Sequence, residues 1–378
     1  MFWRGVVGYL PMNIVQGVVG LFSIVVFTRW LSPADYGVYA LAFAGMNLAH
    51  TLTFTWMEAA MARFYSPEAE AGRLQDHFAT LYRCWAIAAA GFLVVAALIL
   101  FVWQGGGTVK IAVVAGLAAI LGRSLAKLTQ ERRRAAGDVR GAVLMDMAQT
   151  IGGFAIGAGL IVAGLGGAAP IAGLGAAAAI VLVFLLPSEI RRGAGGVFER
   201  GKAASYIGYG VPVSLSLILA LSLATTDRFI LAGFLGDSAV GVYQAGYTLS
   251  NRTLDVLFLW LGAAGGPALI MAFERGGEAG LAKSAREQAG FMLALALPAA
   301  LGLALVSRPL AEVMIGPALR AGAAQVTPWI ALSALFLGLT NGYTHQAFML
   351  GRRTGLMLLA MAVPAIVNVV LCLTLIPR

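Results

Sequence analysis

Charge is scarce in this sequence. Acidic and basic side chains make up 11% of its 378 residues, and only 17 are Asp or Glu. Soluble domains carry about 25% charge, so most of this surface faces lipid. Cysteine is nearly missing as well. Cys84 and Cys372 lie far apart, each in or beside an apolar run. They offer neither a disulfide framework nor metal-ligand spacing and read as packing residues. Also absent are a phosphate-cradling Gly-rich loop, zinc spacings, a Gly-x-Ser-x-Gly elbow and paired carboxylates at a loop tip. Without a nucleotide site, any energy-requiring step draws on ion gradients, membrane potential or consumption of product. No cofactor or metal is expected.

What is present is apolar: 60% hydrophobic residues and a mean hydropathy of +0.86. A helix crosses a bilayer with about 20 apolar residues. On that rule eleven spans are expected. Six fall at 5–28, 38–62, 82–103, 109–126, 141–165 and 170–187, and five at 206–232, 239–264, 287–306, 325–350 and 355–376. The first follows a charged start but is too long for a signal-peptide core and lacks a clear small-x-small cleavage site, so it reads as a retained span.

A repeat links the two sets. Trp30-Leu31-Ser32-Pro33-Ala34-Asp35-Tyr36-Gly37-Val38-Tyr39-Ala40 returns 204 positions later as Phe234-Leu235-Gly236-Asp237-Ser238-Ala239-Val240-Gly241-Val242-Tyr243-Gln244. Gly37 pairs with Gly241 and Tyr39 with Tyr243, each in what reads as a short gating turn between apolar runs. Two related halves in a membrane chain point to a transporter with its site between them. The expected division is an N-terminal six-helix lobe at 1–190, a cytoplasmic linker at 191–205 and a five-helix lobe at 206–378. Six spans against five is an uneven score, and it points to a final helix missing or truncated.

The net charge of +9 raises the question of nucleic acid, but the basic residues lie in short loops, where they set topology. No nucleic-acid partner is expected. A cytoplasmic N-terminus puts nineteen of them inside: Arg4, Arg63, Arg73, Arg83, Arg123, Lys127, Arg132, Arg133, Arg134, Arg140, Arg191, Arg192, Arg200, Lys202, Arg275, Lys283, Arg286, Arg352 and Arg353. Six remain outside (Arg29, Lys110, Arg228, Arg308, Arg320, Arg378), and Arg252 lies within a span. That imbalance fixes the expected orientation. Among the inside loops, Ser66-Pro67-Glu68 reads as the start of a polar helical stretch reaching His77. The glycine-rich, basic segment 188–205 reads as a solvated connector on anionic headgroups or as a regulatory or partner site.

Several features together resemble the polysaccharide-export flippases. They are the Leu-Ser-Pro-x-x-Tyr-Gly-x-Tyr segment after the first span, Arg63 closing the second, Val211-Pro212 in the seventh, Asp227-Arg228 at its end and the Gly-Val-Tyr segment behind it. These are the Wzx-type translocases of lipid-linked oligosaccharides, in the superfamily that includes the lipid II flippase MurJ and the MATE exporters. The resemblance covers the whole chain. It implies an all-α polytopic protein of the bacterial inner membrane, with two pseudo-repeated helical bundles in V-shaped lobes and alternating access. The implied partners are an undecaprenyl-diphosphate-linked oligosaccharide, membrane lipids and, in assembly, polysaccharide polymerase and glycosyltransferases.

Charged side chains inside spans are the candidate site, because an Arg or Asp at a helix centre costs roughly 2.5–3.5 kcal/mol and needs a partner, water or ligand. Arg252 and Asp255, three residues apart, share a face of the eighth span. They read either as a self-neutralising pair or as part of a wet cavity in which Arg252 meets a diphosphate through its planar fork. Asp227 and Arg228 read as a helix-end anchor at the outer gate or as substrate contacts, and Arg29 likewise. Arg63 snorkels or receives headgroup phosphates, with Glu58 nearby to neutralise it or to take a proton. His50 and His345 read as hydrogen-bonded within their spans, and Asp146 as a local cap or partner of Arg140. Pro11 with Gly5, Gly8, Gly17 and Gly20, and Pro212 with Gly208 and Gly210, interrupt the first and seventh spans at matching places. The competing readings are a MATE-like cation or drug antiporter, a non-transporting or degenerate partner in a glycan-assembly complex, and more remotely an embedded glycosyltransferase.

Overall fold

The computed structural model describes residues 2–102, 107–344 and 354–377, and their ordered elements are helical. His345, Arg352 and Arg353 lie outside them. In chain order the helices are α1 (Phe2–Trp30), α2 (Pro33–Thr53), α3 (Thr55–Glu70), α4 (Leu74–Val102), α5 (Gly107–Ala135), α6 (Val139–Val162) and α7 (Ala169–Gly193), the last entered through a 3-10 turn at Gly166–Ala168. There follow α8 (Arg200–Leu235), α9 (Asp237–Leu305), α10 (Ser307–Met314), α11 (Pro317–Leu339), a π-helical turn at Thr340–Thr344 and α12 (Thr354–Leu375). Among the described residues, eight helices are long and apolar enough to cross a membrane. The chain is therefore a multi-pass, all-α membrane protein.

The expected second span, 38–62, is two helices. The chain breaks at Phe54 (φ −120°, ψ −26°), within a Thr-rich stretch whose β-branched side chains weaken helix. The Trp56 indole N–H donates to the Thr53 carbonyl at 3.0 Å. Phe54 is 1% exposed and packs on the rings of Trp85 and Phe92. Ser66 does not start a helix, because α3 runs through Pro67 to Glu70. Helix α9 counts 69 residues, roughly 100 Å if straight. It turns instead at Gly277, whose φ of 58° with ψ −148° suits glycine.

The Gly-x-Tyr segments are not turns. Gly37 and Tyr39 lie in the opening turns of α2, and Gly241 and Tyr243 in those of α9. The actual breaks are Leu31-Ser32 and Gly236, the latter at φ 81°. The repeat persists in packing: Tyr39 stacks on Phe43 with centroids 5.9 Å apart, and Tyr243 on Tyr247 at 6.0 Å.

The chain forms two compact units, one of Met1–Ser23 with Ala34–Phe229 and the other of Ile24–Pro33 with Ile230–Arg378. In the first, Met57, Met61, Phe78, Leu81, Ile120 and Tyr206 belong to one buried apolar cluster. Burial in that cluster draws α8 onto α3 and α4. In the second, Leu254, Ala296, Leu303, Ala331 and Leu335 join α9 to α11.

Candidate functional site: charged residues within the helices

In the first unit, the break at Phe54 joins two polar groups. His50 Nε2 and Glu58 Oε1 are 2.8 Å apart, their side chains 7% and 12% exposed. Glu58 therefore serves His50 rather than Arg63, which is exposed on α3. Asp146 on α6 does not pair locally. Its carboxylate accepts from Gln16 Nε2 of α1 at 2.6 Å and from Gln130 Nε2 of α5 at 3.1 Å. Arg123, within the expected span 109–126 and counted on its cytoplasmic side, is inside α5 within electrostatic reach of Tyr39, Glu58 and Asp146.

Asp227 and Arg228 do not end their helix, since α8 continues to Leu235. Arg228 is 4% exposed, donates to the Ala224 carbonyl, and its Nη1 is 3.5 Å from Asp227 Oδ1. Asp35 of the first repeat copy accepts from the Gly167 amide at 3.2 Å. Gly167 is held so close that a Cβ there would overlap the Asp35 carbonyl oxygen.

A denser polar lattice went unread in the sequence. Glu189 of α7 receives Arg132 Nη2 of α5 at 2.7 Å and the Tyr82 hydroxyl of α4 at 2.6 Å. Lys202 of α8 lies 3.0 Å from Glu68 and 2.8 Å from Glu199. His77 Nδ1 meets the Tyr206 hydroxyl at 2.6 Å. The connector after α7 is not a free, solvated strand. The Val197 amide donates to Asp76 at 2.8 Å and the Glu199 amide to Thr80 at 3.2 Å.

In the second unit, Arg29 is committed to backbone. Its Nη2 donates to the Val313 carbonyl at 2.6 Å and its Nη1 to Val25 at 3.0 Å and Met314 at 3.4 Å. The guanidinium thus caps the last carbonyls of α10, where a cation is favoured by the helix dipole. Beside it the Gly316 amide donates to Thr28 Oγ1 at 3.0 Å. Arg252 and Asp255 are both exposed on α9. Arg252 is within electrostatic reach of Asp255, yet among the described residues no salt bridge joins them. The self-neutralising pair is not formed. Each unit thus holds its own polar residues: His50, Glu58, Arg123 and Asp146 in the first, Arg252 and Asp255 in the second. No group of three or more His, Cys, Asp or Glu placed to hold a metal occurs among the described residues.

Chemically, the two sets differ. The acids of the first unit are already engaged by a histidine and two amides. The second unit presents an accessible guanidinium, suited to an oxyanion. A family model described as polysaccharide biosynthesis protein matches residues 26–320. No curated protein matches the sequence. Among solved structures, the lipid II flippase MurJ in an inward closed conformation aligns with TM-score 0.67 at 13% identity, covering 97% of this chain and 79% of that one. An inward-facing multidrug resistance MATE family transporter of the MOP superfamily aligns with TM-score 0.60 at 14% identity, covering 90% and 83%. The MATE multidrug transporter DinF-BH gives 0.54 at 12%, covering 98% and 93%. At these identities the likeness is one of fold, and the fold is that of the MATE and MurJ transporters.

Proposed function

We infer the function from one premise: the chain belongs to the polysaccharide biosynthesis protein family. On that premise it is a transporter rather than an enzyme. It carries an undecaprenyl-diphosphate-linked oligosaccharide from the cytoplasmic to the periplasmic leaflet of a bacterial inner membrane, for assembly of a surface polysaccharide. The observation that carries this reading is the family match over residues 26–320 on a fold shared with a protein described as a lipid II flippase.

In this reading the lobes alternate access, and Arg252 meets the diphosphate. Its exposure and the absence of a salt bridge to Asp255 support that role. A guanidinium keeps its charge at any working pH and donates two parallel hydrogen bonds to a phosphate. Asp255 on the same face limits how tightly the anion is held, so that it can leave. Arg63 receives headgroup phosphates at entry. Arg29, Asp227 and Arg228 hold helices in place, and the Gly37–Tyr39 and Gly241–Tyr243 segments gate. With the N-terminus in the cytoplasm, outward movement of negative charge runs with an inside-negative potential, worth about 2.3 kcal/mol per charge per 100 mV. Polymerase and glycosyltransferases act on either side of the step.

A cation-coupled antiporter is the second reading, favoured by the carboxylates of Glu58 and Asp146 inside the first unit. Complementation separates the two. In a strain lacking its oligosaccharide flippase, the chain restores surface polysaccharide and Arg252→Ala does not, although it inserts normally. Failure of the inserted wild-type chain, with drug resistance gained instead, favours the antiporter.

A further inference from the structure

The lobe division expected from the sequence cuts at 191–205, which leaves α8 with the second lobe. We propose instead that the connector is a closed clasp and that the opening turns of α8, through Gly210, travel with the first unit, so that the connector is not the moving joint. This rests on the alternating-access reading above.

Three sets of contacts build the clasp. On the α7 side, the Glu189 carboxylate, 2% exposed, is fixed by Arg132 and Tyr82. Such a pair, once buried, is strongly resistant to separation because either partner alone would be left charged and unsolvated. Along the connector, two alternate amides are tied to α4: Val197 to Asp76 and Glu199 to Thr80. Arg83 Nη2 donates to the Gly196 carbonyl at 3.4 Å. A Cβ at Gly196 would overlap the Gln75 carbonyl oxygen, so the backbones touch there. On the α8 side, Lys202 bridges Glu68 and Glu199. Tyr206 is bonded to His77 and stacks on Phe64, centroids 4.9 Å apart. One turn on, Gly210 lies against the Trp56 carbonyl so closely that no Cβ fits.

A hinge needs backbone that can change φ and ψ without breaking buried polar contacts. The connector is the opposite: its Val197 and Glu199 amides are taken by α4, and the flanking carboxylates of Glu189 and Glu68 are paired across helices. Moving the start of α8 away would unpair Lys202 from Glu68 and the Tyr206 hydroxyl from His77.

The test is a covalent bridge. In a chain with Cys84→Ala and Cys372→Ala, Gln75→Cys and Val197→Cys place two exposed thiols on α4 and the connector. Joining them with a short reducible bis-thiosulfonate leaves transport at the unbridged level if the clasp stays closed throughout the cycle. Arrest on bridging, with recovery on reduction, overturns the proposal. A second readout does not need transport. Hydrogen exchange at the Val197 and Glu199 amides is expected to be at least roughly tenfold slower than in a chain carrying Asp76→Ala and Thr80→Val. Exchange equally fast in both chains overturns it too. If the unbridged chain moves no substrate while these amides stay protected, the functional reading fails and the clasp stands.

Discussion

Arg132 and Glu189, 57 residues apart in sequence, meet in a two-point contact: Nη2 donates to Oε1 at 2.7 Å, and Nε approaches Oε2 to 2.7 Å. Both are nearly inaccessible, at 4% and 2% exposure. A buried, charge-assisted hydrogen bond of this kind, with the second nitrogen in ion-pair contact, gives direction as well as energy. Removing one partner strands the other charge. Glu189→Ala is therefore expected to lower stability by roughly 3–5 kcal/mol, whereas replacing both residues with apolar ones of similar volume costs far less. Thermal unfolding of the purified protein in detergent checks this, and equal losses for the single and double variants would contradict it.

The two glycines flanking Tyr209 make a matched comparison. Around Gly208 a Cβ would meet nothing within 4 Å, while at Gly210 it would overlap the Trp56 carbonyl oxygen. Gly208→Ala should be neutral or stabilising by about 0.5–1 kcal/mol through helix propensity. Gly210→Ala should destabilise by roughly 1–3 kcal/mol, since backbone cannot yield as a side chain does. The same unfolding measurement on both variants decides it.

Arg29 is a prediction about location rather than size. Its bonds go to the carbonyls of Val25, Val313 and Met314. Arg29→Ala should raise amide exchange in the segment from α10 into the start of α11 and cost about 1.5–3 kcal/mol, the range for hydrogen bonds to a charged group. Transport per folded molecule should remain. Loss of transport with exchange unchanged would return Arg29 to the substrate pathway.

Helix positions were legible in the sequence wherever apolar length set them. The expected span 141–165 is α6 (Val139–Val162), and 355–376 is α12 (Thr354–Leu375). The repeat was legible too, and its aromatic pairs recur in space. Interruptions were harder to read. Ser66-Pro67-Glu68 carries a local start signal, yet α3 passes through it. Glu68, 8% exposed and paired with Lys202, holds that last turn in place from α8. The break at Phe54 depends on aromatic partners in α4. The polar lattice was invisible for a related reason. His77 and Tyr206 are 129 positions apart, and loop arginines look alike in sequence whether they meet solvent or a buried carboxylate. Arg252 was legible as a charge out of place in a span, but its separation from Asp255 depends on rotamers that spacing does not encode.

For Arg252, a graded series is expected. Arg252→Lys keeps the charge but loses the two-point fork, and should retain part of the transport rate. Arg252→Ala should lose roughly ten- to a hundredfold or more, the equivalent of hydrogen bonds to a charged phosphate. Asp255→Asn, which removes a competing negative charge, should tighten substrate binding. Steady-state transport at varied substrate concentration separates these effects.

The most direct measurement is translocation in vesicles. The purified chain is reconstituted with a polyprenyl-diphosphate-linked oligosaccharide, and lectin access from outside reports which leaflet holds the glycan. Wild-type protein should equilibrate the glycan between leaflets faster than empty vesicles, and Arg252→Ala should fall back to the empty-vesicle rate. Wild-type vesicles no faster than empty ones, under an imposed inside-negative potential and with folded protein, would contradict the account.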